Sequence, residues 1–145
     1  MANICNYYIS IDGFEKETLI KIIELIMSHS GSFKVGGALW DGVDIRGNCK
    51  WCVDYAFDNK DDTNSITNII NSSNRKGTIT CISMSEESDF MEKRIYEKGK
   101  MEIVMICGCT KGYRKRGFTN NVAQIYGLSI EDAKEYIEQM DSPWD

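Results

Sequence analysis

Asn3-Ile4-Cys5-Asn6-Tyr7-Tyr8-Ile9-Ser10-Ile11, running straight into Asp12-Gly13-Phe14-Glu15, is the stretch from which the fold is read. Cys5, Tyr7, Ile9 and Ile11 recur at period two, which is the spacing of side chains on one face of a strand. Asp12 with Glu15 three residues later makes a capping-box-like start. Leu19, Ile22, Ile23 and Ile26 then follow at i, i+3, i+4 and i+7, so a helix over Phe14 to Ser28 is expected directly after the first strand.

Beyond it, Ser30-Gly31-Ser32 breaks the helix, and Phe33 to Trp40 reads as extended, with Gly36-Gly37 marking a weak point or a bulge. Asp41-Gly42 is a hairpin signal. Val43 and Ile45 lead into Trp51, Val53, Tyr55 and Phe57, the clearest alternation in the chain. Ile66, Ile69 and Ile70 give a shorter helical stripe, with Thr63 or Asp62 as its cap. After Gly77, Thr78 to Met84 alternates as a strand, and Met91 to Tyr96 and Met101 to Cys107 form a hairpin through Lys98-Gly99. Ser129 caps a last amphipathic helix that carries Ala133, Ile137 and Met140, with Glu131 and Asp132 in its first turn.

The order strand, helix, strand, strand, helix, strand predicts an α+β fold. It reads as a ferredoxin-like βαββαβ sheet with helices on one face, extended by an additional β-hairpin and a C-terminal helix. Residues 1–109 form the expected domain, and 110–145 a basic loop plus an amphipathic helix packed on it. At 145 residues, 42% hydrophobic and 27% charged, the chain suits a single domain. A chain of this length buries roughly 68–70% of its unfolded surface, so neither disulfides nor a structural metal are required. The net charge of −5 opposes general attraction to nucleic acid or anionic membrane. Met1 to Asn6 lacks the features of a secretory signal, and no apolar run approaches the ~20 residues of a membrane span. A cytoplasmic chain with reduced thiols and no membrane partner is expected.

Three pieces of the sequence resemble the YubB-type ferredoxin-like domain of small plasmid and phage proteins. They are Met1-Ala2-Asn3-Ile4-Cys5-Asn6 leading to Ile11-Asp12-Gly13, the strand Cys49-Lys50-Trp51-Cys52-Val53, and Glu86 to Lys100 with its Arg94-Ile95-Tyr96-Glu97-Lys98-Gly99-Lys100. Together they span residues 1–105. The chain departs from the family at Asp58-Asn59-Lys60-Asp61, where members carry prolines, and its tail from Thr110 has no counterpart. The resemblance implies a fold and a mobile-element origin, and it supplies no catalytic residue.

Cys49-Lys50-Trp51-Cys52 and Cys107-Gly108-Cys109 hold four thiols that could bind tetrahedral zinc. Residues three apart on a straight strand point to opposite faces, so inert core thiols are the favoured reading, with neither metal nor cofactor. His29 ends a helix with no paired nucleophile, and Glu86-Glu87 with Asp89 reads as a solvated turn. The chain has no phosphate-binding loop, dinucleotide fingerprint or zinc-protease helix, which weighs against an enzyme.

Two readings remain open. In the first, acidic surfaces at Glu86, Glu87, Glu135 and Glu138, with Trp144 as an anchor, bind a host or defence protein, in the manner of an anti-CRISPR inhibitor. In the second, Lys111, Tyr113, Arg114, Lys115, Arg116 and Phe118 make a local contact with RNA, single-stranded DNA or a nucleotide. The first is favoured, because no strand pairs aromatic with basic positions. An exposed edge of the sheet would also make a symmetric homodimer easy to build.

Overall fold

The computed structural model describes residues 4–29, 32–38, 42–50, 65–85, 90–107 and 117–141. In chain order these form β1 (Ile4–Asp12), α1 (Lys16–His29), β2 (Ser32–Ala38), β3 (Gly42–Lys50), α2 (Ile66–Ser72), β4 (Thr78–Ser85), β5 (Phe90–Glu97), β6 (Lys100–Cys107), α3 (Phe118–Tyr126) and α4 (Ile130–Asp141). The strands make one sheet in the order β2-β3-β1-β4-β5-β6, antiparallel at every described pairing. β3 sits between β1 and β2, so α1 crosses over it to join two strands that do not touch. The expected alternation over Trp51 to Phe57 lies outside the described residues.

Period two places Cys5, Tyr7, Ile9 and Ile11 on one face of the sheet with Val43, Ile45, Cys49, Ile79, Cys81 and Tyr96. Phe14, Leu19, Ile22 and Ile26 from the α1 region and Ile66 and Ile70 of α2 close over them. The opposite face is also apolar. Tyr8, Ile82, Met84 and Met91 lie under Phe118, Val122, Ala123 and Ile125 of α3 and Ala133 and Ile137 of α4. Helices therefore cover both faces, which corrects the expectation of helices on one. The cause is local: β4 places Ile79 and Cys81 on one side and Ile82 and Met84 on the other, and each side needs its own cover.

The helix starts also differ from expectation. Asp12 stays in β1, paired with Thr78, and the cap of α1 falls instead to Glu15, whose carbonyl accepts the Leu19 N–H at 2.9 Å. For α2 the cap is Ser65 rather than Thr63 or Asp62. Its backbone is extended at φ −64°, ψ 151°, and its Oγ accepts the Asn68 N–H at 3.3 Å. Ser129 caps α4 as expected, accepting the Asp132 N–H at 3.1 Å. Gly77 has no room for a side chain, since a Cβ there would stand 2.6 Å from the Phe14 ring.

α3 was not expected as a helix. Gly117 precedes it at φ 91° and Gly127 ends it at φ 65°, both in the left-handed region that favours glycine. The N–H groups of Gly127 and Leu128 both close on the Ala123 carbonyl, the latter at 2.8 Å. No helix among the described residues is long and apolar enough to cross a membrane.

Candidate functional site

α4 presents a two-sided surface. Ala133 and Ile137 are buried in the second-face core, and Tyr136 packs its ring 4.8 Å from that of Tyr126 on α3. Glu131, Glu135 and Glu138 fall at i, i+4 and i+7, and all three are exposed on one stripe beside the exposed Asp132. The two acids of the first turn are also favoured there by the helix dipole. Glu135 and Glu138 thus stand together, on a helix whose inner side fixes which way they face. Glu86, Glu87 and Trp144 lie outside the described residues, as do Lys111, Tyr113, Arg114, Lys115 and Arg116. Phe118 does not join an exposed basic-aromatic surface. It is 3% exposed, in the core beneath α3. Its aromatic area is spent on packing because it is the first residue of an amphipathic helix.

Cys5, Cys49 and Cys81 are buried thiols of the first-face core, and Cys5 and Cys49 stand opposite each other in the sheet. Cys52 and Cys109 lie outside the described residues, and no group of metal-binding side chains occurs among those described. His29 is the last residue of α1.

A polar cluster that sequence reasoning missed joins the sheet to α3. The Tyr8 hydroxyl donates to Asp44 Oδ1 at 2.9 Å. Burial first, and then this bond to a carboxylate, push the Tyr8 phenol above its ordinary pKa, so it stays a hydrogen-bond donor at neutral pH. The Arg46 guanidinium lies 4.9 Å from the Tyr8 ring centroid while its Nε donates to the Gln124 carbonyl at 2.7 Å. That carbonyl is in the last turn of α3, where helix carbonyls lack partners within the helix. Asn6 Nδ2 donates to the Tyr126 hydroxyl at 3.1 Å. Every one of these bonds ends on β1, β3 or α3, so the cluster clamps a helix onto the sheet. Its sequence signal was the alternation of Asp44 and Arg46 with Val43 and Ile45.

A second clamp holds the other face. The Glu15 carboxylate accepts from Thr18 Oγ1, from Ser73 Oγ at 3.0 Å and from the Asn74 N–H at 3.4 Å. Lys98 Nζ donates to the Ser73 carbonyl at 2.9 Å, and the Gly99 N–H donates to Asn71 Oδ1 at 2.9 Å. The start of α1, the end of α2 and the β5–β6 turn thus meet at one point. The Thr18 hydrogen bond, followed by those from the backbone and Ser73, lowers the Glu15 pKa from 4.5 to about 2. Because the folded value lies below the unfolded one, this stabilisation is complete above pH 4.5 and is lost as pH falls toward 2. Acid titration of unfolding should show that loss in the wild type. It should be flatter in Glu15→Gln, and equal slopes in the two proteins would remove Glu15 from the account.

Between α1 and α2 runs an open groove of about 480 Å³, lined among others by Thr18, Lys21, Glu24, Leu25 and Asn68. Its hydroxyls are already engaged: Thr18 with Glu15, Ser28 with the Leu25 carbonyl at 2.7 Å, and Ser72 with the Asn68 carbonyl at 2.9 Å. The groove offers no convergent set of donors to a small ligand.

Fold and surface together define an α+β protein built on an antiparallel sheet, with a helix pair on each face and an acidic outer helix. Among known proteins, no family model, no curated protein and no solved structure matches the chain.

Proposed function

We propose that this chain is a non-enzymatic accessory protein of a phage or plasmid, which binds a basic surface of a host or defence protein through α4. The observation that carries the reading is the exposed stripe Glu131, Glu135 and Glu138, held outward by the buried Ala133 and Ile137. An acidic face on a fixed helix can enter a groove built for nucleic acid, where complementary charge speeds encounter and selects the partner. A cytoplasmic setting, where such targets lie, belongs to the same proposal.

The ferredoxin-like and YubB-type assignment belongs here as well. Its ferredoxin-like part is supported by the order β2-β3-β1-β4, in which β1 pairs with both β3 and β4 and the α1 crossover spans β3. Burial of Phe118 removes one of the two aromatics on which the nucleic-acid reading rested.

Affinity capture from a host lysate, with and without nuclease, tests the proposal. A protein retained despite nuclease should be lost when Glu135 and Glu138 are both replaced by lysine. The circular dichroism spectrum should not change, because both side chains are exposed. Retention should also weaken as salt rises. Undiminished capture by the charge-reversed variant would end the acidic-helix reading, and retention abolished by nuclease would favour a nucleic-acid ligand.

A further inference from the structure

Among the described residues the sheet ends at β2 and β6, and the two edges are unequally defended. β2 is seven residues long and contains Gly36 and Gly37, which make a poor template for further pairing. β6 runs for eight residues with neither glycine nor proline. It pairs with β5 residue for residue, from Phe90↔Cys107 to Glu97↔Lys100, without a bulge. Natural edge strands are blunted by proline, bulges, shortness or charge, and of these β6 has only the charges of Lys100 and Glu102. Met101 and Ile103 are each 45% exposed on it.

The register also fixes which backbone groups are presented. Lys98-Gly99 is a two-residue turn that closes on Glu97 and Lys100, the hydrogen-bonded position of such a hairpin. The backbone groups of Lys100 and Glu102 therefore turn toward β5, and those of Met101 and Ile103 turn away from it. The two residues with exposed apolar side chains are thus among those that offer outward N–H and C=O groups.

We propose that β6 pairs antiparallel with β6 of a second copy of this chain, about a two-fold axis at Ile103. Ile103 of one copy then faces Ile103 of the other, and Met101 faces position 105. Two neighbouring registers are disfavoured, and centring on Ile103 keeps both exposed apolar residues in the pairing. An axis at Glu102 would set two carboxylates directly opposite each other, which is unfavourable, and an axis at Met101 would run the overlap into the turn. With the axis at Ile103, Lys100 and Glu102 face positions 106 and 104, which are isoleucine and valine. The strand itself holds one lysine and one glutamate, so its edge is neutral although the chain carries −5. The inference is independent of the acidic-helix reading, because it involves no residue of α4.

Sedimentation velocity across a concentration series tests it. The wild type should form a dimer, and Ile103→Lys, which sets like charges on the axis, should sediment as a monomer. Met101→Lys should do the same. Met27→Lys changes an apolar residue of α1 that is 44% exposed, and it should leave the dimer intact. Circular dichroism confirms folding of each variant. Hydrogen exchange adds a readout specific to the register: the amides of Met101 and Ile103 should be protected in the dimer and released by Ile103→Lys, while that of Glu102 stays unchanged. A wild type that is monomeric at every concentration overturns the proposal. So does a dimer that survives both edge variants or is lost in Met27→Lys.

Discussion

Replacing Phe118 by alanine is expected to destabilise the protein by about 3–5 kcal/mol, the usual result of emptying a buried aromatic site. The ring is 3% exposed and belongs to the cluster that packs α3 on Tyr8, Ile82, Met84 and Met91. Set against a typical total of about 5–15 kcal/mol, that is a large fraction. Urea unfolding should show a lowered midpoint, and the ring-current-shifted signals of the second-face core should move. A Phe118 that stacked on bases would behave in the opposite way. Its loss would spare the midpoint and weaken oligonucleotide binding instead.

Arg94→Met is the second large effect. Glu92 is 6% exposed and ion-paired with Arg94 on the same face of the sheet as Tyr96, with Ser83 opposite Glu92 and Cys81 opposite Arg94. Removing the guanidinium strands a carboxylate in a desolvated place, which costs about 3–5 kcal/mol when one member of a buried pair is deleted. Exchanging both residues, in Glu92→Met with Arg94→Met, should recover most of the stability, since matched apolar groups need no charge compensation. A double variant no more stable than Arg94→Met would show that the arginine acts through packing alone.

The elements legible in the sequence were those whose apolar residues keep a regular period over most of their length. β1, α1, the β5–β6 hairpin and α4 each repeat apolar residues at the period of their own geometry, and the expected bounds fell within a few residues of those observed. What escaped was whatever the second face required. β4 was expected as a strand, but Ile82 and Met84 on its other side were not read as a second core that needs its own cover. α3 escaped for a related reason. Phe118, Val122 and Ile125 keep helical spacing, but the preceding cations made Phe118 look like part of a loop. Of the candidate site, Glu135 and Glu138 were legible because a helix face can be read from spacing. The Tyr8, Asp44 and Arg46 clamp was not, because its bond to Gln124 joins residues 78 positions apart.

The central position of β1 governs how the sheet comes together. Cys5 pairs with Cys49 on one side and with Ser85 on the other, so β1 is bordered by two strands that follow it at long range. Closing loops of that length is entropically unfavourable and slows folding, whereas the β5–β6 hairpin closes over two residues. During vectorial synthesis β1 therefore leaves the ribosome long before β4, and its apolar faces stay open until the middle of the chain has been made. The strand at the centre of the finished sheet is thus the one that waits longest for its neighbours.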